Sequence, residues 1–506
     1  MSEEKSSSDN QNAKYPEPKE ITSASQHQLA VAGRTFNYTA TAGTMVLKEE
    51  AEEDGKSEGE KAKATVFYVA YTRDDVEDAG KRPLTFSFNG GPGSSSVWLH
   101  LGVLGPRRVE MAGEMGRLPR PPFRLVDNEF TLLAQSDLVF IDPVTTGYSR
   151  PAPGEKSKEY HDFEKDIESV GEFIRLYTSR AARWTSPKFL IGESYGTTRA
   201  AGLSGYLQER HGMYFNGIML VSSILNFQTA YFRPGNDLPY ILFLPTYAAT
   251  AHYHGRLDED LQQRPLRELL QEVEAFAMGD YTLALMQGAA LPAAQRQTIV
   301  RLVARYTGLS RDYVERSNLR VEIMRFTKEL LREEGLTVGR LDSRFTGADR
   351  DSAGETFEFD PSYAAILGPY TATLNDYVRR ELQFESDLPY EILTDRVRPW
   401  SYKKFENQYV DVADTLRKAM NMNPYLQVLV ANGFYDLATP YLATEYTFNH
   451  LALPPARQQD LRMTYYEAGH MMYLHRPSLA QLHEDLAQFV EGTVGDGEIG
   501  RMENGG

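Results

Sequence analysis

The sequence predicts an α/β fold in which a mainly parallel sheet is interrupted by a large helical insertion, and three observations carry that reading. Short apolar runs of the buried-strand kind recur at 84–88, 138–141, 189–191, 218–221 and 428–430. Helical patterns lie between several of them. In 163–180 the residues Phe163, Ile167, Val170, Ile174 and Tyr177 keep a helical period, and 197–210 reads likewise, which makes βαβ units. From 227 to 400 the strand rhythm lapses, and helix-period stretches such as 261–278 and 321–331 replace it until a strand-like run returns at 426–431.

Taken in order, residues 1–28 lack periodicity and are rich in Ser, Glu, Lys, Gln and Asn, so a disordered polar tail is expected there. Runs 35–48 and 64–71 are β-rich, and the EEAEEDGKSEGEK between them is nearly all charge and glycine. That reads as a hairpin with a long solvated tip. The core is then expected in two parts, 29–226 and 401–495. A helical cap over 227–400 separates them, its inner face turned to the site, and a flexible tail over 496–506 follows. The stripe Leu330, Leu331 and Leu336 is expected in the core of the insertion.

Composition narrows the chemistry. The 506 residues carry 54 Lys and Arg against 70 Asp and Glu, a formal charge of −16, which argues against a nucleic-acid partner. With no cysteine there is no disulfide framework, thiolate nucleophile or cysteine-based metal site. No apolar run approaches the ~18 residues of a membrane-spanning helix. The polar first twenty residues lack the apolar stretch of ~7–15 residues that a secretory signal needs, so a cytoplasmic location is expected, a trimmed signal being the alternative. His252 and His254 could form a metal pair, but no third ligand stands at a recognisable spacing; neither a metal nor another cofactor is expected. The acidic runs at 49–54 and 258–260 lack the spacing of a calcium loop and read as solvated faces.

One motif places a nucleophile. Gly192-Glu193-Ser194-Tyr195-Gly196 follows the apolar strand KFLI and opens a helical segment, the context that a nucleophile elbow requires. Glycines allow the sharp turn that lifts the serine hydroxyl above the sheet, with the next residue's N–H at the helix start beside it. Such a serine needs a base oriented by a carboxylate, in the chain order Ser, Asp/Glu, His. His470, in EAGHM between a strand-like run and the closing helix, fits the base. Asp436, in NGFYD just beyond the strand QVLVA, fits the orienting acid. Upstream, FNGGPGSSS sets a bare glycine backbone directly after a strand, where a second oxyanion donor would come from.

Together NGGPGSS (89–95), GESYG (192–196), NGxxD (432–436) and GHM (469–471) resemble the serine carboxypeptidase family, built on the α/β-hydrolase fold. The resemblance runs from about 33 to 490. The stretches GPRRV, DLVFIDPVTTGYSR, RWTSPKFLIGESYG and GRLDSRFTG look most like its bacterial carboxypeptidase-related branch. By motif position it implies Ser194 as nucleophile, His470 as base and Asp436 as orienter, with the amides of Gly91 and Tyr195 as the oxyanion hole. Asn89, the Gly90 amide and Glu193 resemble the family's grip on a substrate's free C-terminal carboxylate. The implied activity is release of C-terminal residues from peptides through an acyl-enzyme. An esterase or acyltransferase using the same triad is the first rival. A non-enzymatic binding protein on a hydrolase scaffold is disfavoured, since all three triad residue types are present in order. Two departures stand near the expected cleft: Thr145 where a glycine is frequent, and Tyr473 where many relatives have proline.

Overall fold

The computed structural model describes residues 16–31, 33–53 and 55–495. Nine strands form the path of the main sheet: β1 (Thr22–Val31), β2 (Arg34–Glu53), β3 (Lys56–Arg73), β4 (Leu84–Phe88), β5 (Asp137–Ile141), β6 (Lys188–Ser194), β7 (Gly217–Ser223), β8 (Gln427–Gly433) and β9 (Leu461–Tyr466). Their order is β1-β2-β3-β5-β4-β6-β7-β8-β9, and the two-residue strand Arg150–Pro151 also pairs with β3. The first three strands and β3 against β5 pair antiparallel. From β5 to β9 every pairing is parallel.

The parallel strands are buried on both faces, as βαβ crossovers require. Along β7, Met219 and Val221 enter one core cluster while Ile218 and Leu220 enter the other; in β8, Leu429 and Ala431 alternate with Val428 and Val430. Helices α1 (Phe163–Arg180) and α2 (Tyr195–His211) cover one face. Helix α1 opens on the side chain of Asp162, which accepts from the amides of Glu164 and Lys165 and satisfies two otherwise orphaned donors.

Two expectations about the N-terminal region are corrected. Residues 22–28 belong to β1 rather than to a tail; residues 1–15 lie outside the described residues, as do 496–506. As an edge strand β1 is polar on both faces, with only Leu29 buried, so it lacks the apolar alternation that would reveal a strand. The hairpin tip is not a loop either: β2 and β3 remain paired out to Glu53 and Lys56, across register shifts at 47/48 and 51/52.

The insertion divides in two. Helices α3 (Leu238–Tyr253), α4 (Leu266–Phe276) and α5 (Ala293–Thr307) build a separate cluster that takes in Leu330 and Leu331, with Leu336 packed at its edge. Helix α6 (Pro361–Arg380) instead returns to the sheet and buries Ile366, Tyr370, Leu374, Tyr377 and Val378 in its core. The expected single cap over 227–400 is thus two bodies with different partners. Helical periodicity signals that a face is buried, but not against what.

Candidate active site

All candidate groups lie just beyond the C-terminal ends of parallel strands. Chain order reverses at β4, which leads to β5 on one side while β6 lies on the other, and such a switch point opens a crevice in doubly wound sheets. Ser194 ends β6 with φ 60° and ψ −129°, the strained backbone of a strand-to-helix elbow. The flanking glycines are forced by contact. A Cβ on Gly192 would stand 2.2 Å from Gly196 O, and one on Gly196 2.8 Å from Phe88 O. Gly90 is pressed against the same helix start, where a Cβ would meet Tyr195 N at 2.4 Å. Buried Arg199, on α2, ties the two loops together. Its guanidinium donates to Asn89 O (2.5 Å) and to Asp166 Oδ2 (2.8 Å) and lies over the rings of Phe88 and Tyr195.

His470 Nδ1 lies 2.8 Å from Asp436 Oδ2. Asp436 is fully buried and saturated: Oδ1 accepts the amides of Ala438 (2.8 Å) and Thr439 (3.0 Å), and Oδ2 also accepts the Thr439 hydroxyl (2.7 Å). Its carboxylate fixes the ring proton on Nδ1 and leaves Nε2 as the basic nitrogen. Burial pushes the His470 pKa down, but the charge and hydrogen bond of Asp436, then the charge of Glu193, outweigh it, and the net direction is up. Ser222, itself at φ 52°, donates its hydroxyl to His470 O (2.7 Å) and pins the backbone of that loop.

Glu193, buried beside Ser194, accepts from Asn89 Nδ2 at Oε1 (3.0 Å) and from the Tyr473 hydroxyl at Oε2 (2.6 Å). Burial pushes its carboxyl up to about 7. Gly91, at φ 102°, and Pro92 join Ser194 in lining two adjoining cavities. One, of about 210 Å³, holds Asn89, Gly90, Glu193 and His470 and is walled by Trp98, Tyr363 and Ile366. The other, of about 200 Å³, holds Tyr195 and is walled by Phe227, Tyr231, Phe232 and Phe243. Both parts of the insertion therefore face the site. A larger depression around Arg256, Arg301 and Arg305 carries none of these groups.

Every sequence-predicted site residue thus falls in one locality. Thr145 does not line either cavity; it is buried at φ 80° with its hydroxyl 3.3 Å from His161 Nε2. His252 and His254 form no pair, since their Nε2 atoms face the carbonyl oxygens of Arg264 and Ser343.

Sequence reasoning missed a strut. Residues 340–344 of the insertion bind both site loops at once. Arg340 O accepts Leu437 N and Ser343 N donates to Tyr435 O, while Leu341 O accepts His470 N (2.6 Å) and Asp342 Oδ2 accepts Gly469 N (3.2 Å). Buried Arg344 grips Asp342 through two nitrogens and donates to Glu467 O (2.6 Å). GRLDSRFTG was visible as a family-like stretch, yet these partners lie about a hundred residues away. Asp342→Asn, which breaks the paired grip and leaves the guanidinium partly uncompensated, should destabilise the chain by about 2–4 kcal/mol. Thermal melting and turnover should fall together; an unchanged melting temperature would remove the strut from the fold's support.

The fold and site define a serine-hydrolase constellation on an α/β-hydrolase sheet. The chain belongs to the serine carboxypeptidase family, whose model matches residues 55–472. Pheromone-processing carboxypeptidase KEX1 of Saccharomyces cerevisiae is 32% identical over 162 residues, covering 30% of this chain and 20% of that protein. The aligned part is thus one fifth of the curated relative's length. The crystal structure of KEX1(delta)p, a prohormone-processing carboxypeptidase from the same yeast, superposes with a TM-score of 0.56 at 16% identity, over 90% of this chain and 91% of that one. At that identity the likeness establishes the fold. Among the described residues no helix is long and apolar enough to cross a membrane.

Proposed function

We propose that the protein is a serine carboxypeptidase that removes the C-terminal residue from peptides with a free terminal carboxylate. The observation that carries this reading is the sharing of one cavity by Ser194, His470 and the Asn89–Glu193 pair. Ser194 Oγ attacks the last peptide carbonyl as its proton passes to His470 Nε2. The amides of Gly91 and Tyr195 receive the negative oxygen. The C–N bond then breaks, the proton goes to the leaving amine, and the terminal amino acid departs. Water, activated by the same nitrogen, cleaves the acyl-enzyme and returns the hydroxyl. The aromatic cavity around Phe227 and Phe232 receives the residue before the bond, and the cavity holding Glu193 receives the terminal one.

A carboxyl group can donate to a carboxylate only while protonated. Peptide cleavage therefore needs Glu193 protonated and His470 neutral. As pH rises through the Glu193 value of about 7 the grip is lost, and as pH falls through the raised His470 value the base is lost. A bell-shaped profile is expected for peptides, and only its acid limb for an ester without a carboxylate. Glu193→Gln keeps a neutral donor at every pH but mispairs with Asn89 and Tyr473, so it should lower peptide kcat/KM by about one to two decades at acidic pH. It should also flatten the alkaline limb and leave plateau ester turnover nearly unmoved, with the ester's acid limb displaced to lower pH because the Glu193 charge no longer supports His470. The deciding experiment is mass spectrometry of a peptide library beside C-terminally amidated copies. Loss of single terminal residues from the free peptides alone supports the reading; equal cleavage of both sets replaces it with an esterase-type hydrolase.

A further inference from the structure

We infer that Tyr473 is a positioning residue for the carboxylate grip: its hydroxyl fixes the orientation of the Glu193 carboxyl and sets the upper pH limit of C-terminal recognition. The inference rests on the carboxypeptidase reading above and concerns a side chain that touches neither cavity. Tyr473 is buried, and its hydroxyl donates to Glu193 Oε2 at 2.6 Å, across 280 positions of sequence. The opposite oxygen, Oε1, accepts from Asn89. With one donor on each oxygen the plane of the carboxyl is fixed, and Asn89 is held in turn because its Oδ1 accepts Leu99 N (3.1 Å).

The ring is as constrained as the hydroxyl. It packs against Gly102, where a Cβ would stand 2.4 Å from its Cε2. Tyr370 of α6 closes the same corner, its hydroxyl 3.1 Å from that Cβ position. A tyrosine here thus requires a glycine at 102, and the two together place a hydroxyl where an aliphatic side chain could offer none.

The groups facing Glu193 come from several elements, and Arg340 and Arg398 of the insertion line the same cavity. Asn89 comes from the loop after β4, Asp436 from the loop after β8, His470 and Tyr473 from the segment after β9, and Tyr370 from α6. His470 and the two donors favour its anion; burial and Asp436 oppose it. Among them Tyr473 is the donor that can be deleted without touching the triad or the cavity wall. A hydrogen bond from a neutral hydroxyl is stronger to a carboxylate than to a carboxylic acid, so the tyrosine holds the limit lower than burial alone would set it.

The test is the pH profile of kcat/KM for Tyr473→Phe, which keeps the ring against Gly102. With a free-carboxylate peptide the alkaline limb should move up by about one to two pH units, and KM at the optimum should rise about three- to tenfold with kcat nearly held. With an ester substrate, which needs no carboxylate grip, no alkaline limb should appear in either protein. In the Glu193→Gln/Tyr473→Phe double variant the second change should shift no limb. 3-Fluorotyrosine incorporated at 473, whose single fluorine can take the Cε1 side away from Gly102, donates more strongly and should move the limb the opposite way, with an unchanged melting temperature as the check on packing. An unmoved alkaline limb in both variants, or an alkaline limb that shifts equally with the ester, overturns the inference and leaves Tyr473 as core packing. If the wild-type protein cleaves amidated and free peptides equally, the carboxypeptidase reading itself fails, a result distinct from an unmoved limb.

Discussion

Ser194→Ala should abolish turnover of peptides and esters alike, by on the order of 10⁴–10⁶ in rate. Its side chain is only half-buried at the elbow, and alanine meets the same backbone penalty at φ 60° as serine does. The fold should therefore persist, with circular dichroism and melting temperature close to wild type. Labelling by a fluorophosphonate, which needs the activated hydroxyl, should vanish in parallel. Peptidase activity at a tenth of wild type would take Ser194 out of the reaction.

Asp436→Asn should cost about 10⁴ in kcat by a different route. The carboxylate accepts four hydrogen bonds, two from amides at Oδ1 and two, from Thr439 and His470, at Oδ2. An amide must turn its NH₂ to one of these sides. Facing His470, that group forces the imidazole proton onto Nε2, where the ring can no longer take the serine proton. Facing the turn, it opposes two N–H donors. Asp436 is also what raises His470 against the downward push of burial, so the acid limb of the residual ester activity should move to lower pH. A variant with an unmoved acid limb would show that the base draws its basicity from elsewhere.

Much of this site was legible because its chemistry is local in sequence. Each motif pairs a strand end with a short turn, and the continuous apolar runs and 3.6-residue patterns on either side located the turns: Leu84–Phe88 and Phe163–Arg180 match the structure residue for residue. What stayed hidden is non-local or unpatterned. Tyr473 reads only as a departure from a family proline until the fold sets it against Glu193. The strut at 340–344 acts mainly through backbone groups, which any side chain could have carried. Strand β1 escaped notice because its inner face is only partly buried and is built mostly from Ser and His, so no apolar alternation marks it. The split of the insertion was invisible because α6 shows the same helical stripe whether it faces the sheet or a cap.

The strut also bears on modularity. Insertions beyond the strand ends are where such folds vary specificity, while the sheet positions the chemistry. Here the same insertion reaches down to brace the backbones of the Asp436 and His470 loops. A chimera that replaces 227–360 wholesale would inherit a new binding wall and lose the brace beneath it. Transplants that spare 340–344 keep both, so the exchangeable unit ends before Arg340 and not at the boundary of the helical region.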